Sequence, residues 1–153
     1  MAAYNPKCTF SLTLNMGNNQ NSYRSFKYDD YILRENRNLK RIVGNENHHR
    51  DKRFQLQHRG YIDTLSVLCK MPATEHDPRS FKLDISFFSP NMITFSLGGV
   101  FKEGKQSDKV RPLRSFHRVF VCIPDPNSQM TIVNEQFIIG NITQDQFKVN
   151  SFL

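Results

Sequence analysis

Alternation of apolar and polar residues with a period of two runs through most of this chain. It limits the fold to one dominated by β-sheet. In residues 8–16, Phe10, Leu12 and Leu14 face one way and Thr9, Ser11 and Thr13 the other, the pattern of a half-buried strand. Residues 80–89 align Phe81, Leu83, Ile85 and Phe87, and residues 92–102 align Ile93, Phe95, Leu97 and Phe101. Residues 113–123 are apolar on both faces, with Phe116 and Phe120 on one and Val119, Val121 and Ile123 on the other, which predicts a central strand. Residues 61–71 are rich in β-branched and apolar side chains and stop at Pro72, and a further strand is expected there. Residues 130–139 make the last strand, ending at Gly140 and Asn141. Turn composition separates these runs at 17–22, at 74–78, at Ser89-Pro90-Asn91, around Gly104 and at 124–128.

One segment changes period. Between Phe26 and Val43, apolar residues recur at Tyr28, Ile32, Leu39 and Val43, with Tyr31 and Ile42 alongside. Asp29 and Asp30 stand near its start, Lys40 and Arg41 near its end, and Gly44 just beyond. Acids first, bases last and a terminal glycine suit the helix dipole and the C-terminal cap, so an amphipathic helix is expected. The predicted class is α+β with a largely antiparallel sheet. A single helix covers too little of so apolar a sheet. Either another protein covers the second face, or helices preceding residue 1 complete the layer.

At 153 residues the chain is expected to form one domain. No run approaches a membrane-spanning length, and the first residues read as neither a signal nor a transit peptide. Cys8, Cys69 and Cys122 are odd in number and widely spaced, which argues against a disulfide framework or a zinc site and for a reducing compartment.

Chemical motifs are sparse. The phosphate-binding loop, the nucleophile elbow and the metalloprotease helix have no counterpart, so neither an enzyme nor a cofactor site is expected. His48, His49 and His58 read as solvated loop residues rather than metal ligands. His76 and Asp77 read as part of a turn, with no nucleophile tied to them. Asn141-Ile142-Thr143 is a glycosylation sequon by pattern only. Asp84 stands out, because Asp is depleted in strands and here falls mid-strand, opposite Leu83 and Ile85. It suits an outer-face residue, a polar rim contact for a peptide, or a general base in a pocket.

The chain holds 21 Lys and Arg against 14 Asp and Glu, for a net charge of +7. The excess is local: residues 34–59 carry eight bases and three acids. Such a segment suits phosphate contacts, a solvated face, or an Arg paired with an acid on a protein partner.

Three blocks resemble the nuclear RNA export factors: residues 72–77 with 80–86, residues 95–103, and residues 113–124 with 132–135. Their order and spacing are similar to the nuclear-transport-factor-2-like domain of that family over about residues 3–143. The resemblance implies a cone-shaped, strongly curved antiparallel sheet with few helices, followed by a tail or linker at 144–153. It implies a heterodimer, sheet face against sheet face, with a small export cofactor of the same fold. Arg37, within Arg34–Lys40, would pair with an acid on that cofactor. It implies a pocket for Phe-Gly repeats of nuclear pore proteins lined by Asp84, Pro124 and Met130, with leucines from a helix upstream of residue 1. RNA would be bound through other domains of the full-length protein, which would work in the nucleus and shuttle to the cytoplasm.

The expectation is therefore a non-enzymatic interaction domain. Two alternatives belong to other classes. One is a divergent paralogue that keeps the cofactor but has lost pore binding and serves another RNA-linked nuclear role. The other is a small-ligand enzyme on the cone fold with Asp84 as base, which requires Asp84 inside a closed pocket.

Overall fold

The computed structural model describes residues 3–15 and 57–142. The predicted helix at 26–43, Arg37, most of the basic segment and the tail at 144–153 lie outside the described residues.

Among the described residues, seven strands form one sheet. They are β1 (Tyr4–Asn15), β2 (His58–Arg59), β3 (Thr74–His76), β4 (Lys82–Ser89), β5 (Met92–Glu103), β6 (Leu113–Pro124) and β7 (Met130–Asn141). The order across the sheet is β2-β1-β7-β6-β5-β3, with β4 also paired to β5. Strands β5, β6 and β7, each of twelve residues, make an antiparallel meander, as the alternation predicts. β6 is central. β1 departs from the expected pattern, because it pairs with β7 in parallel, Phe10 opposite Glu135 and Leu14 opposite Ile139.

Residues 61–71 correct the sequence reading: they form helix α1 (Tyr61–Lys70), not a strand. Gly60, at φ +80°, lets the chain turn into the helix and donates its N–H to the Cys8 carbonyl at 2.8 Å. Asp63 in the first turn accepts from Arg59 N at 3.2 Å, and Lys70 occupies the last turn. The helix stops at Met71, which is extended as a residue before proline should be. Thr64, Val67, Leu68 and Met71 form its inner stripe. Of these, Val67 sits in the core with Phe10, Phe101, Phe116, Phe137 and Ile139, and Leu68 and Met71 pack against that cluster.

Residues 74–78 also differ from expectation. Thr74–His76 pair with β5, and the turn proper begins at Asp77, whose Oδ1 accepts from Arg79 N at 3.1 Å. The turn before β5 is as predicted: Ser89 Oγ accepts from Asn91 N at 3.3 Å and Met92 N at 3.1 Å.

Strand alternation divides the sheet into two faces. The inner face carries Phe101, Arg114, Phe116, Phe120, Phe137 and Ile139, and α1 packs on it. The outer face carries Asp84, Ser96, Val119 and Gln136, which are register partners in turn across β4, β5, β6 and β7. Among the described residues no helix is long and apolar enough to cross a membrane.

Candidate functional site

Each candidate residue belongs to one of these faces, and the faces separate them. Pro124 and Met130 are register partners at the end of the β6–β7 hairpin. Asp125 shapes that hairpin, accepting through Oδ1 from Asn127 N at 2.8 Å and Gln129 N at 2.9 Å. Pro124 is half-buried and Met130 exposed. Alternation along β6 puts Pro124 on the side of Phe120 and Cys122, the inner face. Phe88 and Ile93 belong to the same end of that face, since Phe88 pairs with Ile93 and Ile93 with Cys122. Phe88 is 73% exposed, so an apolar surface gathers there. The sequence reading missed Phe88, because a bulge between Ile85 and Phe87 breaks the alternation.

Asp84 does not join them. Its register partner Ser96 pairs with Val119, which places Asp84 on the outer face, two strands over and five residues along from Pro124. That separation is roughly 20 Å along the sheet. By strand register Asp84 thus lies apart from Pro124 and Met130, which the family resemblance groups in one pocket. The exposure of Asp84 on the outer face also removes the ground for reading it as a base within the cone.

Around Asp84 the outer face mixes polar and apolar residues, with Ser96 as its register partner. The bulge turns Phe87, 47% exposed, toward Thr94, and Ser86 Oγ lies 2.8 Å from Thr94 Oγ1. Val119, Val121 and Ile138 continue that face across β6 and β7, each half-buried. His117 is exposed beside them. This is the two-sided character that the sequence of β6 announced.

Among the described residues, the inner face holds two ion pairs that composition could not locate. Arg114, 2% exposed, donates from Nε to Glu103 at 2.9 Å and also bonds Asn141. Arg118 donates from Nε to the fully buried Glu135 at 2.6 Å, and Tyr4 donates its hydroxyl to the same carboxylate. Burial and the Glu135 carboxylate push the Tyr4 hydroxyl well above its usual pKa, so it stays a donor. The Arg118 guanidinium also lies 4.8 Å from the Phe137 ring centroid and 5.2 Å from that of Phe120. These contacts tie β1 to β6 and β7. Each charge is matched, as burial requires.

His76 reaches the inner face from β3 and packs against Phe81, Phe101 and Phe116, with ring centroids 5.1–6.2 Å away. Partial burial, then the Arg118 charge, lowers its pKa from the ordinary 6.5. It bonds no nucleophile among the described residues. His58 lies 3.2 Å from Asp63 and packs on Phe10, a structural role at the start of α1. All three cysteines are unpaired, Cys8 and Cys122 buried and Cys69 exposed.

Comparison with known proteins agrees with this architecture. The family model described as "Nuclear RNA export factor, NTF2 domain" matches residues 1–140. Nuclear RNA export factor 1 of Drosophila melanogaster is 29% identical over 95% of this chain and 21% of its own length. Nuclear RNA export factor 3 of Homo sapiens is 29% identical over 91% of this chain and 24% of its own. The chain thus spans about a fifth to a quarter of the curated relatives it matches. Among solved structures, a chain of the C. albicans Mtr2-Mex67 M domain complex superposes with a TM-score of 0.62 at 25% identity, covering 94% of this chain and 83% of that one. With a sheet-dominated, curved NTF2-like fold and a family match along nearly its whole length, the chain belongs to the nuclear RNA export factor family as its NTF2-like domain.

Proposed function

We propose that this chain is a non-enzymatic interaction domain of an RNA export factor. It heterodimerises with a small export cofactor of the same fold and contacts Phe-Gly nucleoporins, while RNA is carried by other domains of the full-length protein. The protein would act in the nucleus and shuttle to the cytoplasm. The observation that carries the reading is the outer face of the sheet. Phe87, Val119, Val121 and Ile138 present half-exposed apolar surface on the side opposite α1, a surface suited to a second sheet. The solved relative supports the same reading, because it is itself a complex of two chains, Mtr2 and the Mex67 M domain. Arg37 contributes an ion pair to a cofactor acid, and Asp84, exposed on the outer face, is a polar contact for the same partner.

Phe-Gly repeats would use the opposite face of the sheet. Pro124, Met130, Phe88 and Ile93 offer apolar surface to a phenylalanine ring at one end of the inner face. An Asp at position 130 would lose solvation against that ring without gaining a partner. Pull-down on immobilised Phe-Gly repeats should retain the wild-type chain and lose Met130→Asp by tenfold or more, about 1.4 kcal/mol. If wild type is not retained while the cofactor complex still forms, the chain is a paralogue without pore binding, and this half of the reading fails.

A further inference from the structure

A groove of about 280 Å³ opens where β3 and the turn after it meet the ends of β5 and β6. Val100, Pro78 and Leu113 give it apolar walls, and Glu75, Asp77, Arg79 and Lys102 charge its rim. Glu75 and Lys102 are register partners, and Leu113 is the partner of Lys102 on β6. Alternation along β5 places Val100 and Lys102 on the outer face, while His76 and Phe101, which also line the groove, belong to the inner face.

The four charged residues of the lining balance two against two, and Arg111, which pairs with Glu75 from beside the groove, adds a third cation. Arg79 holds Asp77 with Nε at 3.1 Å and Nη2 at 3.4 Å. Arg111 holds Glu75 with Nη1 at 2.6 Å, while its Nε is buried without an acceptor. Both carboxyls are pulled below their ordinary range by these arginines first, and by Lys102 in addition. They therefore stay ionised and already claimed. Lys102 is exposed and makes no ion pair of its own among the described residues. Three cations thus meet two committed carboxylates, which leaves room for one more negative charge.

Size and sign together select the ligand. The volume lies just under the roughly 300–1,000 Å³ of small-molecule pockets and suits one or two side chains. A nucleic acid would bring successive phosphates against Glu75 and Asp77, which repel them. A single carboxylate beside an aliphatic residue brings one charge against Glu75 and Asp77 rather than several, and Lys102 offsets it.

We propose that the groove binds an acidic side chain from an extended segment of a protein partner, its carboxylate on Lys102 and a neighbouring aliphatic side chain on Val100, Pro78 and Leu113. Val100 and Lys102 share a face with the proposed cofactor interface, but the site requires neither cofactor nor pore binding.

Amide chemical shifts of the full 153-residue chain test this directly. The probes are a pool of acetylated tripeptide amides with Glu between Leu, Val or Ile residues, the matched Gln pool, and an oligouridylate. The Glu pool should shift Val100, Lys102 and Leu113, and the Gln pool should bind about tenfold more weakly, or not at all. Lys102→Gln, a change at an exposed position, should lower affinity for the Glu pool by about tenfold with an unchanged Tm. Equal binding of both pools, absence of shifts at those amides, or tighter binding of oligouridylate there would each overturn the proposal.

Discussion

Protonation of His76 works against the folded state. Its pKa is lowered in the fold because three phenylalanine rings cover part of the imidazole and Arg118 lies nearby. Below about pH 6.5 the unfolded chain takes up this proton more readily than the folded one, so stability falls as pH drops from 6.5 toward the lowered folded value. Above 6.5 the group contributes no pH dependence. Urea unfolding at pH 7.5 and 5.5 should show a midpoint loss in wild type that is smaller in His76→Phe, which keeps the aromatic packing. Equal losses in both would assign the effect to the other histidines. Glu75 and Asp77 act in a separate, lower window. Their pKa values are lowered by Arg111 and Arg79, so their contribution is present above the usual carboxylate range and lost as pH falls through the lowered values. At this scale the sequence was partly legible. Asp84 stood out for its strand position, and alternation already set it opposite Leu83 and Ile85. Which face a partner meets is a property of the assembled sheet, and there Asp84 parts from Pro124 and Met130. The pairing of Arg114 and Arg118 with Glu103 and Glu135 depends on cross-strand neighbours that no local pattern reveals.

Strands with regular alternation were read correctly, and the elements that departed from it have specific causes. Helix α1 reads as a strand in the sequence because Ile62, Thr64 and Val67 favour sheets in isolation. The helical signal was nevertheless present, in Thr64, Val67, Leu68 and Met71 at helical spacing, and tertiary packing on Phe10 and Phe137 decided between the two. The parallel pairing of β1 with β7 left no trace in the sequence, since alternation is the same in either direction. β5 shows what close packing asks of one position. A Cβ on Gly99 would stand 2.8 Å from Cε1 of Phe116 and 3.0 Å from Cδ1 of Phe81, whose rings meet edge to face at 5.8 Å. Phe116 is 4% exposed and has little room to retreat. Gly99→Ala should therefore cost about 1–3 kcal/mol by urea unfolding, the usual range for overpacking. At Gly98 the nearest contact is an ordinary 3.5 Å, so Gly98→Ala should cost clearly less. Equal costs would show that backbone preference, rather than the Phe116 ring, governs this stretch.

Within the described residues the molecule is a sheet with an apolar inner face and an outer face on which apolar and polar residues are mixed. One face takes α1 and the aromatic core. The other is half-exposed, with Asp84 set within it and Lys102 of the charged groove at one end. A net charge of +7 favours an acidic partner. The sequence reached this point through its excess of sheet over helix, because an apolar sheet with too little cover needs another layer. The central claim is that a second protein of the same fold supplies that layer on the outer face. Size-exclusion chromatography with light scattering tests it most directly, using the chain mixed with the small export cofactor at micromolar concentration. The account predicts a one-to-one complex that is lost or strongly weakened in Arg37→Glu. Two separate monomers from the wild-type mixture would contradict it.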